Sequence, residues 1–477
     1  MRFKTPKLFI LLLFLILLTR LSLFNPNGQY FFGDEIFYKR LINTLKQSEK
    51  EKNPTLYFQG VFGINAKPGF GILYSIPIWL EVQKPNVPYG TMLNLVFNSL
   101  IPIFVYLILQ RIVNQSTAIL ATIVLIFSIS SIFYIRHMLP YDASLATLLL
   151  ALYVFIKRKS ALNFGIISAV SFLIYPSNFY YLIPIPFLLF IYNKRFKLKK
   201  SVFFVGGFAL VVISAQLISM AIGATPSYFD EAQHLSGIVT QGDFIPVLPF
   251  LTEYVRSYDG ILGLLIIAFA PLIIFLKEKK KFFPWIIYLI LIFLILEIFS
   301  HIAAKTVLYG RTIRPFYLLL LIYGIIALDS LFRKVCQSRL FYALGFSAFI
   351  FIVLVNWWPR FNTFKHLIYP TAFREEAENY LKTKNSKYTL EDIYTKKEVV
   401  DDNTTDPPTI SGGKFYLVNP TLLYPYYGSL SVPCDTEILI EREHALLFKP
   451  YHYEGFTRQM RSYLDQEPPK YQLIYCK

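Results

Sequence analysis

The sequence predicts a polytopic α-helical membrane protein of about eleven spans, with a small α/β domain at its C-terminal end. Three observations carry that prediction. Of the 477 residues, 55% are hydrophobic and 16% charged, with a mean hydropathy of +0.47; soluble domains hold about 45–50% apolar and about 25% charged residues. The apolar residues come in continuous runs near the roughly 20 that a helix needs to cross a bilayer. Beyond residue 357 the composition returns abruptly to globular values. The same features exclude a disordered chain, a disulfide-rich scaffold, since there are three Cys, and an outer-membrane barrel, whose strands alternate apolar and polar residues.

The runs fall at about 8–24, 90–110, 117–135, 143–156, 161–176, 179–192, 201–222, 261–276, 284–300, 315–332 and 339–357. Lys4 and Lys7 precede the first, but no small-x-small cleavage site follows it, so it reads as a retained anchor. A further apolar segment, 69–80, has only twelve residues. A helix there covers about 18 Å, short of a hydrocarbon core of about 30 Å. It reads as an interfacial or re-entrant piece. The expected organisation is a membrane domain over 1–357, with outer connections at about 25–89 and 223–260, followed by an outer domain over 358–477.

The formal charge of +17 has two possible origins. In a soluble protein it points to nucleic acid; in a membrane protein it records orientation, because cytoplasmic loops collect Lys and Arg. Placing Arg2, Lys4 and Lys7 inside and alternating puts five connections inside. These carry Arg111; Lys157–Lys159; Lys194, Arg195, Lys197, Lys199 and Lys200; Lys277 and Lys279–Lys281; and Arg333, Lys334 and Arg339. These inner segments hold 19 basic residues against one acid, Glu278, and the rest of the chain is balanced at 28 basic and 29 acidic. The excess is therefore a topology signal and supports no nucleic-acid partner. It sets the N-terminus in the cytoplasm and the final domain outside, and the Ile/Phe/Lys-rich usage favours a bacterial inner (plasma) membrane.

In the outer domain, 371–384 and 456–464 read as helices, 414–418, 437–441 and 471–475 as strands, and 401–413 as a loop. Cys434 and Cys476 share that compartment, which permits a disulfide; two buried free thiols are the alternative. Cys336 falls in an inner loop.

Ionisable residues near lipid generally face a cavity or a partner, and those on the expected outer side form a set. Asp34 and Glu35 lie among aromatics, with Tyr38, just past the first span. Burial there would raise a carboxylate toward the range of a general base, although a solvated pair or helix-start acids fit as well. Arg136, His137 and Asp142 lie at the outer end of the third span; Asp142 opens the next helix, where an acid also serves as an N-cap. Lys67 precedes the short apolar segment and suits a phosphate or simple snorkelling. Arg311 and Arg314 before Pro315 suit a phosphate or pyrophosphate, or interfacial anchoring. Glu297, His301 and Lys305 share one helical face at i, i+4, i+8. That set suits a sugar hydroxyl, a proton relay or a metal, though two ligands are too few for a metal site and a satisfied intramembrane pair accounts for it equally. No phosphate loop or dinucleotide fingerprint, zinc helix or nucleophile elbow is present.

Taken in order, these elements resemble the GT-C class of membrane glycosyltransferases, in the branch of protein O-mannosyltransferases and bacterial aminoarabinose transferases. Gly33-Asp34-Glu35-x-x-Tyr38 resembles that family's acidic motif after the first span. Asn65-Ala-Lys67-Pro68-Gly69 resembles its Lys-Pro-Pro segment, with Gly for the second Pro. Arg136-x-x-x-Pro140-x-Asp142 resembles its Arg-x-x-x-Pro-Asp element, with Tyr141 inserted. Tyr309-x-Arg311-x-x-Arg314-Pro315 resembles a later Arg-Tyr-x-x-Pro element more loosely. The resemblance covers about residues 1–330. It implies an inverting transfer of a sugar from a polyprenyl-phosphate donor to a glycan, lipid or protein acceptor on the outer face. Asp34 would be the base, Glu35 and Asp142 would orient the acceptor or the base, and Lys67, Arg136, Arg311 and Arg314 would hold the donor phosphate. Some members of the class use a divalent metal and others do not, so the cofactor stays open. The competing expectations are a transporter or flippase for a polar lipid or sugar, which predicts inverted repeats, and a non-catalytic assembly subunit.

Overall fold

The computed structural model describes residues 6–24, 36–63, 67–84, 87–192, 198–238, 244–275, 279–305, 307–336, 338–367, 370–383, 390–392, 414–418, 435–443, 450, 453 and 470–476. They form a helical membrane protein with a small C-terminal sheet. The chain divides into a larger unit that ends at Asn362 and a smaller one that begins at Thr363.

The larger unit opens with α1 (Pro6–Leu23), α2 (Ile36–Lys50) and α3 (Pro54–Gly63). The apolar segment 69–80 becomes two short helices, α4 (Pro68–Leu73) and α5 (Ser75–Gln83), which meet at Tyr74. Neither is long enough to span. Tyr74 is fully buried, in one apolar cluster with Tyr38, Phe70, Val61 and Ile174. Gly69 has a packing reason. A Cβ there would stand 2.7 Å from the backbone nitrogen of Ile174, so only glycine lets α4 approach the helix that ends at Ile174 so closely.

Then come α6 (Tyr89–Ile112), α7 (Gln115–Phe127), α8 (Ile129–Ile132), a 3₁₀ turn (Phe133–Arg136), α9 (Pro140–Arg158) and α10 (Ala161–Ile174). After them run α11 (Phe179–Leu182), α12 (Pro184–Tyr192), α13 (Lys199–Ala221), α14 (Tyr228–Ile238), α15 (Val247–Tyr258) and α16 (Gly260–Ala268). The unit is completed by α17 (Lys279–Glu297), α18 (Gly310–Val335) and most of α19 (Arg339–Lys365).

Among the described residues, six helices are long and apolar enough to cross a membrane: α6, α9, α13, the segment Phe282–Ile302 containing most of α17, α18 and α19. The pair α7–α8, bent by 66°, makes a seventh if counted as one span. This is fewer than the eleven apolar runs, and the differences have local causes. The run 179–192 is cut at Pro184, whose ring and missing N–H interrupt a helix. The run 261–276 tightens from α16 into a 3₁₀ stretch at Ala270–Phe275, around Pro271. Phe9–Leu23 and Ala161–Ile174 are apolar but short.

The run 117–135 is not continuous, because Ser128 is extended (φ −60°, ψ 125°). Asp259, from the turn between α15 and α16, holds the break open. Its Oδ1 accepts the Ile129 N–H at 2.8 Å, and its Oδ2 accepts the hydroxyls of Ser128 and Tyr317, each at 2.6 Å. The carboxylate thus caps the start of α8 from a distant part of the chain, satisfying a donor that the helix itself leaves unpaired. Trp357 of α19 donates its indole N–H to the Asp259 carbonyl at 2.9 Å.

The smaller unit holds α20 (Pro370–Thr383) and strands β1 (Leu390–Asp392), β2 (Lys414–Val418), β3 (Thr436–Glu443) and β4 (Lys470–Cys476) in the order β1-β2-β4-β3. β1 runs parallel to β2 and the other pairs are antiparallel. Phe373, Ala377 and Leu381, at helical spacing on α20, pack on Leu417, Tyr471 and Leu473 of the sheet. The three expected strands and the helix at 371–384 are present. β1 is additional, a three-residue strand too short to leave a pattern. Residues 401–413 and 456–464 lie outside the described residues.

Candidate functional site

Three of the cations singled out from the sequence gather on one aromatic cluster. Tyr134, from the 3₁₀ turn, meets Tyr141 of α9 edge to face, with centroids 4.9 Å apart, and Tyr141 meets Tyr175, after α10, at 4.7 Å. Lys67, before α4, sits over Tyr175 at 6.0 Å. Arg311, in the first turn of α18, lies over Tyr141 at 5.6 Å and over Tyr309 at 4.4 Å. Arg314, one turn on, stacks on Tyr134 at 4.8 Å. Cation–π contacts of this kind are worth roughly 0.5–2 kcal/mol each. The inserted Tyr141 is therefore the central ring of the cluster. Lys67 and Arg311 are half-buried and Arg314 is fully buried.

Asp142 lies beneath this cluster, fully buried. Its Oδ1 accepts Arg314 Nη1 at 2.6 Å, and its Oδ2 accepts the Asn98 amide at 2.8 Å. Arg314 Nη2 also donates to the Ser131 carbonyl at 2.7 Å. On the far side of Asn98 stands Arg20 of α1, which donates from Nε to Asn98 Oδ1 at 3.0 Å and from Nη1 to the Ile126 carbonyl at 2.5 Å. One carboxylate thus serves two buried guanidinium groups, and it ties α1, α6, α9 and α18 together. Asp142 occupies the first turn of α9 but makes no capping bond to its own helix. With both oxygens engaged by buried donors, it is placed to fix Arg314 rather than to meet an acceptor.

The remaining candidates divide. Tyr38 is fully buried beside Phe70 and Tyr74, with its hydroxyl on the Glu81 side. Glu81 accepts the Gly90 N–H at 2.7 Å. Burial raises the Glu81 carboxyl above the usual range, opposed by the Gly90 hydrogen bond and by the Tyr38 hydroxyl. A side chain at Gly90 would collide with the Tyr38 hydroxyl, its Cβ standing 2.2 Å away. His137 is fully buried, with its ring 5.9 Å from that of Phe133 and its carbonyl accepting from Asn94 at 2.8 Å, and Arg136 is buried beside it.

Glu297 and His301 form a pair at 2.7 Å. Glu297 Oε2 also accepts the Val247 N–H at 2.8 Å, so Glu297 caps the start of α15 while its other oxygen holds His301. The backbone widens into a π turn at Ile298–Ile302 just beyond it. Asp34, Glu35 and Cys434 lie outside the described residues, as does the Cys476 side chain. Among the described residues, no three His, Cys, Asp or Glu gather as metal ligands.

No protein-family model matches the chain, and no curated protein matches it.

Sequence reasoning missed Arg20, Asn98, Glu81 and Asp259. An arginine inside the first apolar run is a signal in its own right, since a charge at that depth needs a partner. Asn98 and Asp259 carry no local pattern; only the fold gives them work. The arrangement as a whole presents two half-buried cations on an aromatic floor, with a third cation locked beneath them. That combination suits an anionic group attached to an apolar body.

Proposed function

We propose that this chain is an inverting glycosyltransferase that moves a sugar from a polyprenyl-phosphate donor to an acceptor on the outer face of the membrane. The observation that carries the reading is the convergence of Lys67, Arg311 and Arg314 on the rings of Tyr134, Tyr141 and Tyr175. These cations come from three distant stretches of sequence, and each had been singled out for a phosphate. In this reading Lys67 and Arg311 face the donor phosphate, and Arg314, paired with Asp142, fixes the first turn of α18 that carries Arg311.

The reaction needs a base and a cationic cradle. A carboxylate, assigned to Asp34, takes the proton of the acceptor nucleophile as that atom attacks the anomeric carbon. The bond from that carbon to the phosphate oxygen breaks, and the polyprenyl phosphate leaves with the electron pair. Negative charge grows on the phosphate in the transition state, where prepositioned cations in a dry site stabilise it most. Asp142 is given no proton-transfer role.

The test is a glycan comparison by mass spectrometry of lipid, polysaccharide and protein fractions from cells carrying the wild type, a deletion, Asp34→Asn or Lys67→Gln/Arg311→Gln. Both variants should reproduce the missing glycan of the deletion at normal expression. Glycans that differ in the deletion but stay unchanged in Asp34→Asn would reject the assignment.

A further inference from the structure

A cavity of about 250 Å³ runs between α6, α9, α12, α17 and α18, well apart in chemistry from the cation cluster. Its wall is almost entirely aliphatic and aromatic, including Leu145, Leu149, Leu188 and Leu318. The only charged residues among its described lining are Arg111, at the end of α6, and Lys159, just past the end of α9. Both side chains are exposed and both stand at the same end of the cavity. The opposite end, at Leu145 and Pro315, has no charged residue among its described lining.

Lys159 carries a second signal. Its backbone is left-handed, at φ 58°, ψ 16°, and its N–H closes α9 on the Phe155 carbonyl. Glycine fills such a position without a steric penalty, whereas a lysine strains the backbone. The chain keeps a long cationic side chain where a smaller residue would fold more easily. Lys157 and Arg158 precede it, and Arg111 leans on Tyr153 at 5.7 Å.

We infer that this cavity holds one acyl chain of an anionic phospholipid from the leaflet on the basic side of the protein, with the phosphate headgroup held by Arg111 and Lys159. From Leu145 to Lys159, α9 rises about 21 Å, enough for an acyl chain of one leaflet, whose hydrocarbon layer is about 15 Å thick. Bilayer tails are as apolar as the cavity, so the chain gains little by entering it. Selectivity therefore comes from the headgroup. Each basic residue near the membrane surface contributes a preference of about five-fold for anionic lipid, and the two together about thirty-fold. The site is independent of the proposed transferase reaction, and lies at the other end of the helices that carry it.

The experiment is native mass spectrometry of the full-length protein with phosphatidylglycerol, phosphatidylcholine or a polyprenyl phosphate added. The expected result is one retained phosphatidylglycerol and little phosphatidylcholine. Lys159→Gly should weaken that retention about five-fold while melting at or above the wild-type temperature, since it relieves the backbone. Arg111→Gln/Lys159→Gly should weaken it about thirty-fold. Leu149→Trp, which fills the cavity and leaves both cations, should abolish it. Equal retention of the two phospholipids, retention of polyprenyl phosphate alone, or retention unmoved by these variants would overturn the inference. None of these results bears on the Asp34→Asn glycan test.

Discussion

Asp142 and Arg314 make the sharpest quantitative prediction. The pair is 2.6 Å apart, with side-chain exposures of 0% and 2%. Arg20 lies on the same network, so Asp142→Asn leaves two buried guanidinium groups with no carboxylate between them. Removing one partner of a buried pair costs about 3–5 kcal/mol, mostly because the other charge is stranded. For a unit of this size that corresponds to a drop in melting temperature of roughly 4–7 °C. Arg314→Met should cost a similar amount, since it strands Asp142. The double variant strands less charge, and Asn at 142 still accepts from Asn98. It should be less damaged than the two singles added together, with a coupling of at least ~2 kcal/mol. The assay is thermal unfolding of the purified protein in one detergent, with all four members of the cycle measured together. Additivity within ~0.5 kcal/mol, the behaviour of independent sites, would refute a direct buried pair.

Three further outcomes follow from the same geometry. Gly69→Ala places a methyl group against the backbone of α10 and should cost ~1–3 kcal/mol by overpacking, read as a lower melting temperature; an unchanged value would mean that α4 does not pack there. Asp259 is buried outside the spanning helices, and desolvation pushes its carboxyl up to about 6, against hydrogen bonds from Ser128, Tyr317 and Ile129 and the charge of Arg360. The folded state then holds a proton between about pH 4 and pH 6 that the unfolded chain has released. The stability contribution of Asp259 therefore falls as pH rises through that window, by ~3 kcal/mol, and is level above it. The stability difference between wild type and Asp259→Asn should track this curve, and a flat difference from pH 4 to 7 would contradict it. Glu297→Ala removes the acceptor at the start of α15 and should cost ~1 kcal/mol without loss of glycan transfer, measured by melting temperature and the glycan comparison; loss of transfer at unchanged stability would return Glu297 to the chemistry.

Several features were legible in the sequence because they repeat or break a pattern locally. Apolar runs marked the membrane helices, and short runs of aromatic and branched apolar residues marked β2, β3 and β4. The strong apolar face of 371–384 marked α20. Lys67, Arg311 and Arg314 stood out because charge beside lipid is costly. Other features were not legible, for reasons that can be named. Apolar content alone counts a run as a span even where Pro184 cuts it, where Pro271 sits in a 3₁₀ stretch, or where a carboxylate from far along the chain captures its amide, as Asp259 captures Ile129. Glu297 and His301 had the right spacing for a reactive pair. Their spacing carried no information about Val247, whose N–H Glu297 accepts.

The sequence by itself determined that this is a helical membrane protein with a distinct C-terminal domain, because hydrophobicity and its period are properties of neighbouring residues. It also nominated the charges worth following. Only the tertiary structure decided what those charges do. It buried Asp142 between Arg314 and Asn98, which makes it a fixed counter-ion. It left Lys67 and Arg311 half-buried on the tyrosine cluster, and it placed Arg111 and Lys159 at one end of an apolar cavity. The physical reason is the same in each case. The role of a charge depends on its solvation and on its partners within about 4 Å, and these are supplied by chain segments tens to hundreds of residues away.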